Sequence, residues 1–161
     1  MKFKEFVCFE AALSQLQSTD RDSVIEELVS SLDNHGGLPK NNSKSIAKAI
    51  IKRENEASTG MGKGVAVPHV KHKSIKNIVA TIGLSEEGID FFALDKHPVH
   101  SVILLVSPLD DPDKHLQAME NIFKHLQQEK FRKFLRQCCN PKQIKDLLLE
   151  ADEDPTLSGN S

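Results

Sequence analysis

Ser58-Thr59-Gly60-Met61-Gly62-Lys63-Gly64-Val65-Ala66-Val67-Pro68-His69 changes texture twice. A glycine-rich stretch flows into the short β-branched run Val65-Ala66-Val67, and the run stops at Pro68-His69. This is a loop, a buried strand and a presented histidine. Proline cannot donate to a sheet ladder and fixes its own φ, so the strand is expected to end at Pro68 with His69 held at a rigid strand exit. The glycines do not make a nucleotide site. Gly60, Gly62 and Gly64 lack the Gly-Lys-Ser/Thr ending and precede a strand, whereas phosphate-cradling loops follow a strand and open a helix. They read instead as a flexible turn that lets backbone pack closely beside His69.

Two more strands follow, Ile78 to Leu84 and Val99 to Val106, both apolar and β-branched enough to be central, with Gly88 and His97-Pro98 marking turns between them. Upstream, Ser18-Thr19-Asp20 has the chemistry of a helix N-cap, and Val24, Ile25, Leu28, Val29 and Leu32 follow at helical spacing as far as His35. Gly36-Gly37 stops that helix. Asn41-Asn42-Ser43 opens a second, whose stripe Ile46, Ala47, Ile50 and Ile51 ends in Lys52-Arg53-Glu54. Beyond Ser107-Pro108, Asp111 reads as an N-cap with Pro112 at the first helical position, and Leu116, Met119, Ile122, Phe123 and Leu126 as the buried face. Further helices are expected over Glu129–Cys138 and Pro141–Glu150. The order ααβββααα implies an α/β fold: a central mixed β-sheet flanked by helices on both faces. One domain over residues 1–152 and a flexible, acidic and polar tail over 153–161 complete the expected organisation.

Composition narrows the function. Lys and Arg number 21 against 23 Asp and Glu, a formal charge of -2 that is too balanced for a nucleic-acid binder held by phosphate neutralisation. With no Trp and no Tyr, the eight Phe do all the aromatic packing and leave no stacking platform for single strands. No apolar run approaches the roughly 20 residues of a membrane span, and no clean signal region follows the N-terminus, so a cytoplasmic location is expected. Cys8, Cys138 and Cys139 have no metal or redox spacing and read as reduced bystanders.

Taken alone, His69 reads most simply as an ordinary capped histidine. Its setting is more specific. Arg53-Glu54 followed by Ser58 through His69 resembles the signature of the phosphotransferase-system IIA domains of the fructose, mannitol and nitrogen-regulatory type. Pro98-Val99, the strand through Val106, Ser107-Pro108 and the helix start Asp113-Lys114-His115-Leu116-Gln117-Ala118 are similar to the same family at similar spacing, and the likeness runs from about Phe6 to Glu150. The resemblance implies that His69 is phosphorylated by HPr or a nitrogen-branch HPr-like protein, with Arg53 and His115 supporting the site. It implies a phosphotransferase component with no cofactor and no metal, which hands its phosphoryl group to a IIB domain or uses its phosphorylation state to regulate protein targets. The nitrogen-regulatory use is favoured over a fructose- or mannitol-type transport component; a non-transferring regulatory module is the remaining alternative.

These roles suit the residue types. An imidazole nitrogen is nucleophilic at neutral pH, and phosphoryl transfer needs chiefly positioning and electrostatic stabilisation, which a guanidinium and a hydrogen-bonding imidazole near a helix N-terminus supply. Arg53 is also readable as a cation that simply ends a helix, and His115 as a core-edge histidine. His35, His72, His97, His100 and His125 read as surface or turn residues, and a His69–His72 metal pair would need helix geometry that Pro68 opposes. Met61, Val65 and Val70 are candidates for an apolar collar around His69, and each is equally readable as core. The family resembled here usually has a small residue after the histidine, so Val70 is expected to narrow a partner's approach.

Overall fold

The computed structural model describes residues 1–154. Two short 3-10 turns, Phe3–Glu5 and Phe9–Ala11, precede helices α1 (Arg21–Asn34) and α2 (Ser43–Glu56). Strands β1 (Gly60–Gly62), β2 (Val65–Ala66), β3 (His69–His72), β4 (Val79–Ile89) and β5 (Val99–Pro108) follow, then helices α3 (Pro112–Leu126), α4 (Glu129–Gln137) and α5 (Pro141–Glu153). Residues 155–161, most of the expected tail, lie outside the described residues.

Local chemistry sets the helix starts. The Asp20, Asp111 and Asn140 side chains accept from the amides of Ser23, Lys114 and Gln143, capping α1, α3 and α5, and Pro112 and Pro141 occupy first-turn positions where no amide partner is needed. Asn42 sits at the cap position of α2 but donates its side-chain amide to the Lys40 carbonyl instead.

β5 is the hub of the sheet. Along one edge it pairs antiparallel with β4, from Val79 opposite Val106 to Leu84 opposite Ser101. Along the other it pairs parallel with β2 and then β3, Val65 opposite Ser101 and His69 opposite Leu105. The second pairing keeps one register across Val67-Pro68, so the chain is a single strand path interrupted at the proline rather than one that ends there. The Leu105 amide donates to the Pro68 carbonyl (3.0 Å), holding the ladder through the interruption. The expected stop is thus corrected: Pro68 lacks a donor, but its carbonyl still serves the neighbouring strand.

The glycine stretch also differs from a plain loop. Gly60–Gly62 pairs antiparallel with β2 through a two-residue turn in which Lys63 and Gly64 both have positive φ; with β3 beyond Pro68 it raises the strand count from the expected three to five. β4 extends past Leu84 to Ile89, with Gly88 (φ 93) in an irregular stretch of the strand rather than in a turn; a Cβ there would lie 2.7 Å from Cβ of Pro98. The N-terminal segment shields the outer edge of β4 through bridges from Val7 to Ala80 and Leu13 to Gly83.

Strand alternation divides the core into two layers. Val102, Leu104 and Val106 face α1 and α2 with Val24, Ile25, Leu28, Ile46 and Ile50. Ile103 and Leu105 face α3, α4 and α5 with Ala118, Ile122, Leu126, Leu135 and Leu148. The mixed sheet with helices on both faces is therefore the fold expected from the element order.

Two side chains fall on the other side of the surface from their expected place. Leu116 is 57% exposed, whereas His125, expected at the surface, is 3% exposed between the rings of Phe3 (4.7 Å) and Phe131 (5.3 Å). The phase of α3 explains both. Its buried line runs through Ala118, Met119, Ile122, His125 and Leu126, and one turn back along that line is His115, not Leu116. Val65, readable as rim or as core, is core, buried at 3% in the layer facing α3 to α5.

α1 rests on the sheet at Gly83, where an added Cβ would meet Leu16 and Leu28 methyl carbons at 2.8 and 2.9 Å. Gly83→Ala is expected to lower unfolding free energy by about 1–3 kcal/mol through overpacking, read from urea midpoints; unchanged midpoints would mean that α1 adjusts freely.

Candidate functional site

The constant register across Pro68 decides which way His69 faces. Opposite Leu105, its side chain joins the α3 to α5 side, with Lys71 on the same face and Val70 and His72 on the other. His72 binds Ser45 and Ser74 there, away from His69. Val70 packs partly buried against the α1–α2 layer, on the opposite strand face from His69.

The half-buried His69 ring is fixed by one hydrogen bond. Its Nδ1 lies 2.7 Å from the Val67 carbonyl, which can only accept, so Nδ1 carries the proton and Nε2 the lone pair. The His115 ring lies 5.7 Å away, centroid to centroid, at 43°. His115 sits in the first turns of α3, and its Nδ1 pairs with the Ser107 hydroxyl at 2.7 Å. Ser107 is buried on β5 two residues beyond Leu105, on the same face.

Arg53, in the last turn of α2, donates from Nη1 to the Ala57 carbonyl at 2.9 Å, and its charge acts on His69. The structure therefore brings His69 and His115 into ring contact and sets Arg53 within electrostatic reach. Burial lowers the His69 pKa, with the Arg53 charge adding to the effect and the Val67 bond opposing it. Burial likewise pushes His115 down to about 4, aided by the positive charges of His69 and Lys71. Both imidazoles are neutral at pH 7. Arg53 and the exposed Lys71 then carry the fixed positive charge around the pair.

Lys71 and Ser107 adjoin the imidazole pair without having been singled out from the sequence. Strand alternation from His69 would have found Lys71. Ser107 required the register of β3 against β5, which no local pattern encodes.

Both imidazoles are partly exposed. Exposed Leu109 leaves the end of β5 and exposed Leu116 adjoins His115; of the three side chains expected as a rim, only Met61 is exposed. A cleft of about 600 Å³ is lined by Leu84, Ser85, Gly88, His100 and Arg136 among others, at the opposite end of β4 and β5. It takes no part in the histidine chemistry. Among the described residues no three His, Cys, Asp or Glu side chains converge where a metal ion could sit, and no helix is long and apolar enough to cross a membrane.

Residues 9–151 match the family model described as "Phosphoenolpyruvate-dependent sugar phosphotransferase system, EIIA 2". The chain is 32% identical over 153 residues to the PTS system fructose-specific EIIABC component of Bacillus subtilis, spanning 95% of this chain but only 24% of that relative. It is 28% identical over 148 residues to the nitrogen regulatory protein of Bradyrhizobium diazoefficiens, covering 92% of this chain and 95% of that relative. In fold it is similar to nitrogen regulatory protein IIA-Ntr from Neisseria meningitidis, with a TM-score of 0.80 at 22% identity over 89% of this chain and 97% of that one.

Long-range proton–nitrogen NMR spectra are expected to show the Nδ1–H tautomer for His69 near pH 8 and a neutral His115 down to about pH 5. Lys71→Ala should raise the His115 pKa. A His115 titrating at its ordinary 6.5 would contradict the burial and charge assigned to it. The same depression sets an acid limit on stability. Between 6.5 and about 4 the unfolded chain binds a proton at this position that the folded chain does not, so stability falls as pH drops through that window.

Proposed function

This chain belongs to the EIIA type 2 family of the phosphoenolpyruvate-dependent sugar phosphotransferase system, and on that premise we propose that it is a phosphocarrier whose acceptor atom is Nε2 of His69. One observation carries the reading: the Nδ1–Val67 bond leaves Nε2 with its lone pair directed away from the backbone, beside His115.

In the proposed transfer, Nε2 attacks the phosphorus of a phosphohistidine donor of the HPr type. The donor's N–P bond breaks, its nitrogen keeps the electron pair, and a new N–P bond forms at His69. No proton needs to move, because His69 retains its Nδ1 proton and the Val67 carbonyl stabilises the positive charge that develops on the ring. The phosphoryl oxygens meet the cations Arg53 and Lys71. His115 acts in the tautomer whose Nδ1 accepts from the Ser107 hydroxyl, 2.7 Å away, so that its other ring nitrogen presents an N–H to a phosphoryl oxygen. The neutral state of His115 makes it a hydrogen-bond donor rather than a counter-charge.

Residues 1–152 are taken as one such domain, working in the cytoplasm. The name of the fructose-specific relative joins A, B and C components, which supports a IIB domain as the onward acceptor. The nitrogen regulatory relative, matched over 95% of its length, supports use of the phosphorylation state to control protein targets. Chase of the phosphorylated chain with a fructose-type IIB domain separates the two, since rapid transfer favours transport and retention of the group favours regulation.

Incubation with phosphoenolpyruvate, enzyme I and HPr or its nitrogen-branch counterpart should add one acid-labile phosphoryl group, seen by intact mass, and none to His69→Ala. Arg53→Ala and His115→Ala should each slow uptake by about 10²–10³-fold. A wild-type chain that takes no group from either donor, or a labelled His69→Ala chain, would end the proposal.

A further inference from the structure

Glu54 is a carboxylate at 2% exposure, and the transfer chemistry makes no direct use of it. Its two oxygens accept from the Thr59 amide (3.0 Å) and from the Thr59 hydroxyl. The Thr59 carbonyl in turn accepts from the Val67 amide (3.3 Å), and the Val67 carbonyl accepts from Nδ1 of His69 (2.7 Å). An unbroken series of hydrogen bonds therefore runs from the buried end of α2, through the strand-opening loop, to the ring that holds the nucleophile.

The loop has little freedom to adjust if that series is cut. The Ser58 hydroxyl donates to the Phe91 carbonyl and accepts from the Gly60 amide (3.0 Å), tying the same residues to the segment before β5. A Cβ on Gly60 would lie 2.8 Å from Cβ of Ala93, so the loop already rests against that segment. The position of the Val67 carbonyl is set from two sides, by β5 and by Thr59.

We infer that Glu54 is a positioning residue for His69, acting through Thr59 and Val67 to fix the ring orientation and the Nδ1–H tautomer that leaves Nε2 free. The inference rests on the phosphocarrier reading for its consequence in rate, but not for its consequence in tautomer. Geometry rather than charge is the operative property. A negative charge near a site that receives a phosphoryl group opposes binding of that group, whereas two fixed acceptors hold the loop. Glutamine can reproduce the arrangement, its Oε1 accepting from the Thr59 amide and its Nε2 donating to the Thr59 hydroxyl oxygen. Alanine cannot.

The test compares wild type, Glu54→Ala, Glu54→Gln and Thr59→Ala as full chains, reading the His69 tautomer by long-range proton–nitrogen NMR and phosphoryl uptake from a charged HPr-type donor. In Glu54→Ala the His69 signals should shift from the pure Nδ1–H pattern toward a tautomer mixture, and uptake should fall roughly 10–100-fold, as expected for a misplaced nucleophile. Glu54→Gln should restore the wild-type tautomer and most of the rate. Thr59→Ala, which loses only the hydroxyl bond, should show a smaller change in the same direction and carries the test if Glu54→Ala does not fold. Wild-type tautomer and rate in folded Glu54→Ala would overturn the inference, as would a Glu54→Gln variant as impaired as Glu54→Ala, which would assign the effect to charge. Failure of wild type to accept a phosphoryl group would remove the carrier reading while leaving the tautomer comparison to decide the role of Glu54.

Discussion

The parallel pairing of residues 65–72 with β5 in one uninterrupted register is the constraint on which the site and much of the core depend. It runs straight through Val67-Pro68, where a proline would ordinarily end a strand, because the bond lost at its missing amide is confined to one position while its carbonyl still pairs. Shifting that register by one residue would turn His69 into the α1–α2 layer and Val70 toward α3. The apolar fit of both layers thus fixes the direction of the histidine. Ser107, two residues beyond the partner of His69, then meets His115 from α3, so one strand orients both imidazoles.

The electrostatic design follows from that placement. Two protonated imidazoles 5.7 Å apart would repel by about 3 kcal/mol at an effective dielectric constant near 20. Burial and nearby cations keep both rings neutral instead. In the proposed transfer the labour divides, the rings supplying a lone pair and a hydrogen bond and Arg53 and Lys71 supplying charge. Arg53 sits in the last turn of α2, where a cation also suits the helix dipole, so its structural and site-directed readings are compatible rather than competing.

Much of this was legible in the sequence because it is local. The cap at Asp20, the stripe from Val24 to Leu32, the Asp111-Pro112 helix start and the apolar run of β5 each depend on residues within a turn or a strand of one another, and each formed as expected. His69 was legible through its glycine and proline setting and a family resemblance. What stayed hidden depends on pairing. Nothing near Pro68 announces that β5 will carry the strand past it, and nothing near Gly60 announces that three residues will add to the sheet edge. The exposure of Leu116 was misjudged through phase: choosing it as a stripe residue ignores that His115 and His125, both polar by type, lie on the inward line of α3. Hydropathy alone discards the two side chains that fix the line.

That inward line also ties the chemistry to the core. His115 is one turn above Ala118 and Met119, which pack on the sheet, so its distance from His69 is set by the same contacts that seat α3. By contrast, Leu109 and Leu116 are exposed at the site's margin and support no buried layer. Changes there alter what a docking partner meets without moving the imidazoles, whereas changes in the core beneath α3 move the imidazoles without altering the partner's view. A fold built this way can hold one arrangement of the two imidazoles while its surface varies, and β-strand alternation at Val70, whose side chain packs against the α1–α2 layer directly after His69, separates the two requirements at the level of adjacent residues.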